Sequence, residues 1–532
     1  MQTFHKSTLF LFTLILLFSC KGPKRVTRIN QNFFKAIQAE LPRPFLPFKN
    51  ISEHLKWEVK LSDTTYKNES FSTFSPEYSI DSCSIFCFRG NNHRNAPSRG
   101  NIIGKPVSVE LDWKFRTRFD DTKTQYGVWG GGSGWTGQPL IVKWTKSQKQ
   151  QLGIIDQEFL NDDDALEVIV GSLSGDIYFI NFSTGDSTRL HLEIDGPIKG
   201  TPSVDPRKNG LLYVGQGVNR DGRFGAYVFD MFSGKEVMFQ PGADYNAYCF
   251  WGAFDSNPLI DYKTGTAFWP AENGQIYTLH SNSGEHPKVV RKFKYKGKNT
   301  RRNGIESSMA TIDNYGFFAD NDGNIVCVDL VTMEPQWEND NYDDTDASIV
   351  VDKEKNDYFL YVGNEVDKRG DSAVANLRKI DAATGKEIWH VDRICYGYPV
   401  MNKTNSGGIL ATPLVGKKNS SDLVFAIFSR VNKKHKGELV AVNKKTGKER
   451  YTFKLDAYSW ASPVDFYDEK GNMYLFFTDV WGTVYILDGA SGKLIYKEKI
   501  GATFESSPVI VNDRIIVGTR GRSILSFKII SK

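Results

Sequence analysis

From residue 84 onward, short runs of the chain alternate apolar and polar positions, the period-two pattern of β-strands. Asp176 to Asn181, Gln275 to His280, Asn324 to Leu330, Glu438 to Asn443 and Thr483 to Asp488 are examples, and they predict half-buried strands. Strands of this kind lead into turns built as Thr or Ser, then Gly, then a polar residue. Copies stand at Thr184-Gly185, Ser233-Gly234, Ser283-Gly284, Thr384-Gly385, Thr446-Gly447 and Ser491-Gly492. The glycine meets the positive φ that a tight connection between twisted strands requires.

A second landmark opens each unit: a small-residue pair, usually closed by proline, ahead of an apolar strand. It recurs at Gly137-Gln138-Pro139, Gly200-Thr201-Pro202, Ser256-Asn257-Pro258, Ser307-Ser308, Ala347-Ser348, Ala411-Thr412-Pro413, Ala461-Ser462-Pro463 and Ser506-Ser507-Pro508. The spacing averages about 53 residues, room for four strands and their loops. Such sheets hide their edges by radial closure. The expected fold is therefore all-β, an eight-bladed β-propeller of four-stranded antiparallel blades spanning 84–532. The last unit, from Ser506 to the end, holds only three strands. Val107 to Arg116 has the pattern of the missing outer one, so the last blade is expected to be closed by this N-terminal strand.

The front of the chain reads differently. Lys6 precedes an apolar run, Leu9 to Phe18, too short to span a bilayer, which is the profile of a signal peptide over 1–19. Leu17-Phe18-Ser19-Cys20 resembles the lipobox of bacterial lipoproteins. That resemblance implies acylation of Cys20, and two or more acyl chains hold a protein stably on a membrane. Residues 20–83 then read as a lipidated tether, irregular around Pro42, Pro44 and Pro47, with amphipathic runs at 33–41 and 53–61. Lys21 is not the aspartate that keeps such lipoproteins at the inner membrane. With Lys24 and Arg25 also basic, the expectation is an outer-membrane protein facing the periplasm.

Composition narrows the function classes. With 13% aromatic residues, 47 glycines and 24% charged residues, the 532-residue chain suits many short strands and not disorder. The net charge of +5 is small and dispersed, so no nucleic-acid partner is expected. Five cysteines follow Cys20. Cys83 and Cys87 are near enough in sequence to bridge in an oxidising compartment, and Cys327 falls in an apolar strand pattern. The eight histidines show no metal-binding spacing, and no Gly-x-Ser-x-Gly elbow is present. No metal site and no catalytic residue are therefore assigned.

The string IDAATGKEIW, with Asp381, Thr384, Gly385, Lys386 and Trp389, resembles the PQQ-like propeller repeat, in which the tryptophan docks between neighbouring blades. Phe88-Arg89-Gly90-Asn91 is similar to a motif that precedes the first blade in that family. The resemblance covers about 85–530 and is loosest in the fourth unit, where Met333 replaces the turn glycine. Within this quinoprotein alcohol dehydrogenase-like superfamily, a lipid-anchored propeller without a cytochrome is similar to the propeller subunit of the β-barrel assembly machine. This implies a non-catalytic scaffold that binds envelope or outer-membrane proteins as a monomer within a complex. The dehydrogenases hold PQQ between a tryptophan and a ring formed by two adjacent cysteines, with calcium beside it. This chain has no adjacent cysteines and no CxxCH haem site, so no cofactor is expected. A PQQ- or calcium-dependent dehydrogenase is the alternative reading.

The residue before each small-residue pair should face the central channel: Thr136, Lys199, Asp255, Glu306, Asp346, Leu410, Trp460 and Glu505. Trp129, Trp135, Trp251, Tyr396 and Tyr398 lie in the same or adjoining loops. The candidate ligand ring is accordingly Trp135, Lys199, Trp251, Asp255, Glu306, Asp346, Trp460 and Glu505. Such a ring is either a solvated funnel or a site for a cation, a sugar or a basic peptide segment. The run Gly130 to Gly134 lacks the Lys and Ser or Thr of a phosphate loop.

Overall fold

The computed structural model describes residues 44–66, 71–74, 83–134, 137–220, 222–281, 286–297, 304–400, 403–431 and 435–532. The signal segment, Cys20, Trp135, Thr136 and the Ser283-Gly284 turn lie outside the described residues. The chain divides into compact units 1–45 and 46–532, and the sheets belong to the second. Among the described residues no helix is long and apolar enough to cross a membrane.

The larger unit is all-β, made largely of successive four-stranded antiparallel meanders, two of which, over 350–396 and 414–454, join into one sheet where Cys395 pairs with Val431. The first runs through Leu140–Lys143, Leu166–Gly171, Asp176–Asn181 and Leu192–Glu193. The same order recurs over 203–241, 259–296, 310–340, 350–396, 414–454 and 464–499. The C-terminal strands Val509–Val511, Arg514–Thr519 and Ser523–Ser531 acquire their outer strand from Pro106–Arg116, which pairs antiparallel with Ser523–Ser531.

The alternating pattern predicted strands with one wet face. Leu166–Gly171, Asp176–Asn181 and Met473–Thr478 are instead buried throughout, because each is an inner strand of a sheet packed against its neighbours. Asp176 is held from within: Ser174 Oγ at 2.5 Å and Tyr178 Oη at 3.1 Å both donate to its Oδ2.

Neighbouring sheets lock through one repeated contact. An outer-strand side chain lies on the next sheet's Thr-Gly turn and donates to a turn carbonyl. Trp113 Nε1 reaches Phe182 O at 3.0 Å, Trp337 Nε1 reaches Ala382 O at 3.0 Å and Trp389 Nε1 reaches Lys444 O at 2.8 Å. The approach demands glycine, since a Cβ on Gly385 would stand 2.7 Å from the Trp337 ring. In the 310–340 sheet Met333 occupies the turn position with φ 62°, its side chain buried in the core. There the docking residue is Arg291, whose two Nη atoms reach Val331 O and Leu330 O at 2.7 Å.

The small-residue pairs form a second set of links. Gln138 N donates to Thr201 Oγ1 (2.8 Å), Asn257 N to Ser308 Oγ (2.9 Å) and Ser308 N to Ser348 Oγ (2.9 Å). Ser348 N continues to Thr412 Oγ1 (3.1 Å), Thr412 N to Ser462 Oγ (3.0 Å) and Ser462 N to Ser507 Oγ (3.1 Å). Between the second and third sheets Asn257 Nδ2 donates to Thr201 O at 2.9 Å. The series returns to its start when Ser507 N donates to Gly137 O at 2.9 Å.

Residues 85–102 run past the same girdle, and their backbone reaches the first six sheets in chain order. Ile85 bonds Ile141, Val204 N donates to Phe86 O, and Phe88 N donates to Asn257 Oδ1. Asn92 O and His93 O accept from Thr311 N and Val351 N, and Asn95 O accepts from Lys417 Nζ. Ile102 N donates to Tyr467 O, while Ser98–Arg99 pairs in parallel with Ile510 and Val511. Arg89, fully buried at φ 58°, donates from Nη1 to Pro463 O (2.7 Å) and from Nη2 to Pro413 O (3.3 Å).

The segment expected to be an irregular tether contributes a strand. Lys56–Leu61 pairs antiparallel with Lys288–Lys296 and adds a fifth strand to the 259–296 sheet.

Candidate channel site

One backbone bond, repeated from sheet to sheet, builds the channel wall. The residue at the turn after the second strand donates its N–H to a carbonyl in the loop entering the same sheet. The pairs are Gly217 to Pro197 (2.9 Å), Glu272 to Ala253 (3.1 Å), Asn321 to Gly304 (2.9 Å), Glu365 to Asp344 (2.9 Å), Val480 to Tyr458 (3.1 Å) and Arg520 to Thr503 (2.9 Å). Each accepting carbonyl stands two residues before a member of the ring expected from sequence: Lys199, Asp255, Glu306, Asp346, Trp460 or Glu505. The turn residues therefore form a second tier beside the first.

In the 203–396 arc the two tiers are crowded with carboxyl groups. Ligand atoms of Asp255, Glu272 and Glu306 lie within 4.8 Å of one another, and so do those of Asp344, Asp346 and Glu365. Glu306 joins the two triads through its hydrogen bond with Asp346. Lys199 Nζ is in a short ion pair with Asp255 Oδ2, and both side chains are buried. Lys368 Nζ stands 3.8 Å from Asp344 Oδ2 and 3.3 Å from Asp322 Oδ1. Phe88, Thr201, Ser308, Ser348 and Thr412 line the recess beside Asp255, Glu306 and Asp346.

Burial opposes ionisation, and the cluster responds unevenly. Burial and the neighbouring carboxylates push Glu272, Asp344 and Asp346 well above the usual carboxylate range. Burial raises Glu365 to about 8 and Asp255 to about 6, the latter against the pull of Lys199. Glu306 is buried too, but Lys199 and hydrogen bonds from Asp346, Glu272 and Asn321 hold it down at about 2. Buried Asp255 Oδ1, Glu272 Oε1, Asn321 Oδ1 and Asp344 Oδ1 have no hydrogen-bond partner.

The other ring residues sit apart from this cluster. Trp460 is buried with its ring 5.4 Å from Tyr458, whose other neighbour is the Arg430 guanidinium at 4.3 Å. Glu505 Oε2 is 3.5 Å from Arg520 Nε. Trp251 packs against Tyr126 and Phe224, ring centroids 5.6 and 5.2 Å away, in the loop leading to Asp255. The hairpin of Asp120–Thr124 and Gly127–Gly130 folds over there, held by Asp120 to Arg220 at 2.6 Å. The sequence reading missed Glu272, Asp344, Glu365 and Asn321. A usable signal existed: Glu272 and Asn321 each stand two residues before the glycine of the repeated turn, Gly274 and Gly323.

The family model described as outer membrane protein assembly factor BamB matches residues 258–457 and 435–530. The chain belongs to this family. No curated protein matches it in sequence. Among solved structures, BamB from Moraxella catarrhalis is 16% identical, with a TM-score of 0.48, covering 79% of this chain and 99% of that one. Quinohemoprotein alcohol dehydrogenase ADHIIG from Pseudomonas putida HK5 is 11% identical, with a TM-score of 0.57, covering 86% of this chain and 83% of that one. At that identity the likeness to the dehydrogenase is one of fold, and it makes this BamB-family chain a PQQ-like propeller.

The quinone of the dehydrogenase relatives does not fit these residues. PQQ is itself an anionic polycarboxylate, and the arc that would face it is lined with carboxyl groups whose nearest lysine, Lys199, is already paired with Asp255. The adjacent cysteines that would form its stacking ring are absent from the sequence. The same oxygen donors are of the type that hard cations take.

Proposed function

We propose that this chain is a non-catalytic, lipid-anchored propeller of eight blades that holds envelope proteins at the periplasmic face of the outer membrane, in outer-membrane protein assembly. Membership of the BamB family and the return of the girdle from Ser507 to Gly137 support the ring and the role. Cys20, through its lipobox, supplies the anchor.

The observation that carries partner binding is an exposed aromatic patch in the loop that leads to Asp255. Tyr245 is 96% exposed and Phe250 67% exposed, next to Tyr248, Trp251 and the Tyr126 hairpin. Exposed, clustered aromatics mark contact surfaces, and aromatic anchors dominate protein interfaces. The occupant that matches is a segment of an envelope protein carrying apolar residues, with acidic ones to meet Lys294 and Lys296, whose Nζ atoms stand 5.0 and 5.8 Å from the Tyr248 ring.

The test is affinity capture from native membranes with the tagged full-length chain, comparing wild type with the double variant Tyr245→Ala, Phe250→Ala. Both side chains are exposed, so the fold should survive. A specific envelope protein recovered with wild type and lost at least tenfold with the variant supports the reading. Recovery no better than a tag-only control refutes it. Fractionation of Cys20→Ala into the soluble pool tests the anchor.

A further inference from the structure

We propose that the channel binds a hard divalent cation, with calcium as the fitting ion, between Asp255, Glu272 and Glu306. Geometry, charge and unsatisfied donor capacity support this together.

The three carboxylates come from different loops, and the repeated turn-to-loop bond brings them within 4.8 Å of one another. A second triad, Asp344, Asp346 and Glu365, adjoins through Glu306. Six carboxyl groups thus crowd together with Lys199 and Lys368, an excess of four negative charges if all ionise. Isolated buried charge costs far more than a fold can absorb, so either protons or a cation must accompany these groups.

Unsatisfied oxygens indicate where it goes. The Glu272 side chain is almost wholly buried, yet its Oε1 has no hydrogen-bond partner, and neither has Oδ1 of Asp255. Lys199 takes the other Asp255 oxygen. Buried polar atoms are rarely left without partners, and a cation coordinated by both oxygens supplies what no donor here does. Calcium accepts six to eight oxygens in flexible geometry, which suits ligands from separate loops, whereas magnesium demands a near-ideal octahedron.

The competing occupant is the proton, shared between carboxyl groups. Calorimetric titration separates the two, using the purified full-length chain in detergent, stripped with EDTA, at pH 7.5 and with no other protein present, so failure is independent of the partner reading above. Saturable calcium binding and a melting temperature that rises with free calcium are expected. Glu272→Gln should weaken binding at least tenfold while its metal-free form melts no lower than metal-free wild type, because the amide replaces a carboxyl group whose ionisation burial opposes. Glu449→Gln, on the surface pair with Arg393, should bind as wild type does. If Glu272→Gln does not fold, Glu306→Gln takes its place. No heat and no melting shift up to about 10 mM calcium, above the range of weak extracellular sites, overturns the proposal. So does unweakened binding by the folded channel variant.

Discussion

Ser506 Oγ donates a 2.7 Å hydrogen bond to the carbonyl of Gly137, a residue 369 positions earlier in the chain. With Ser507 N bonded to the same oxygen, it links the last of the small-residue pairs to the first. Replacing Ser506 by alanine leaves the Ser507 bond intact and should cost about 1 kcal/mol, the net worth of one buried hydrogen bond. Urea unfolding at equilibrium measures it.

Arg89 should matter more. Its guanidinium joins the carbonyls of Pro463 and Pro413 in two different sheets. Arg89→Met keeps much of the volume but strands both carbonyls, and a loss of about 3 kcal/mol is expected. The same unfolding experiment reads it.

Two glycines separate strain from packing. Gly385 and Gly234 hold nearly equal positive φ, 70° and 69°, but a Cβ on Gly385 meets the Trp337 ring while one on Gly234 meets nothing within 4 Å. Gly234→Ala should cost only the conformational penalty, about 1 kcal/mol. Gly385→Ala should cost more by the displaced tryptophan, about 2 kcal/mol further. Melting of the two variants side by side gives the difference.

The acidic arc sets a pH dependence. Burial lifts Glu365 to about 8 while the unfolded chain ionises it in the ordinary glutamate range, so the folded state holds a proton that the unfolded state has lost. Stability of the metal-free chain should therefore fall as pH rises from about 5 to 8. Glu306, held at about 2, stays ionised over that window and adds no slope. Glu365→Gln should flatten the decline, as followed by thermal melting across the pH series.

Much of this architecture was written in local pattern. The small-residue pairs located the girdle because each hydroxyl accepts a neighbour's backbone N–H, and only small side chains fit there. Val107 to Arg116 was recognisable as a strand looking for a partner, and it pairs as Pro106–Arg116. Lys199, Asp255, Glu306 and Asp346 followed from their place before those pairs. Glu272 and Glu365 did not, because their meeting depends on turns folding back over loops some 20 residues earlier in the chain. Trp251 was placed in the ring by its proximity to Asp255 in sequence, and its ring packs against Tyr126 and Phe224. Lys56–Leu61 alternates like any exposed edge strand, but its partner Lys288–Lys296 lies far along the chain.

The hub segment 85–102 and the outer strand Pro106–Arg116 have a consequence in time. They are made early, yet their partners include Pro463, Ile510 and Ser523–Ser531, which are made last. As the chain is made, its hub must wait with its bonding groups unspent until the final strands arrive. Contacts this distant slow folding and prolong exposure of sticky strands. A chain truncated before Val509 should therefore lose more than one sheet: it would leave the hub without its last seat and the early strand without an edge to join.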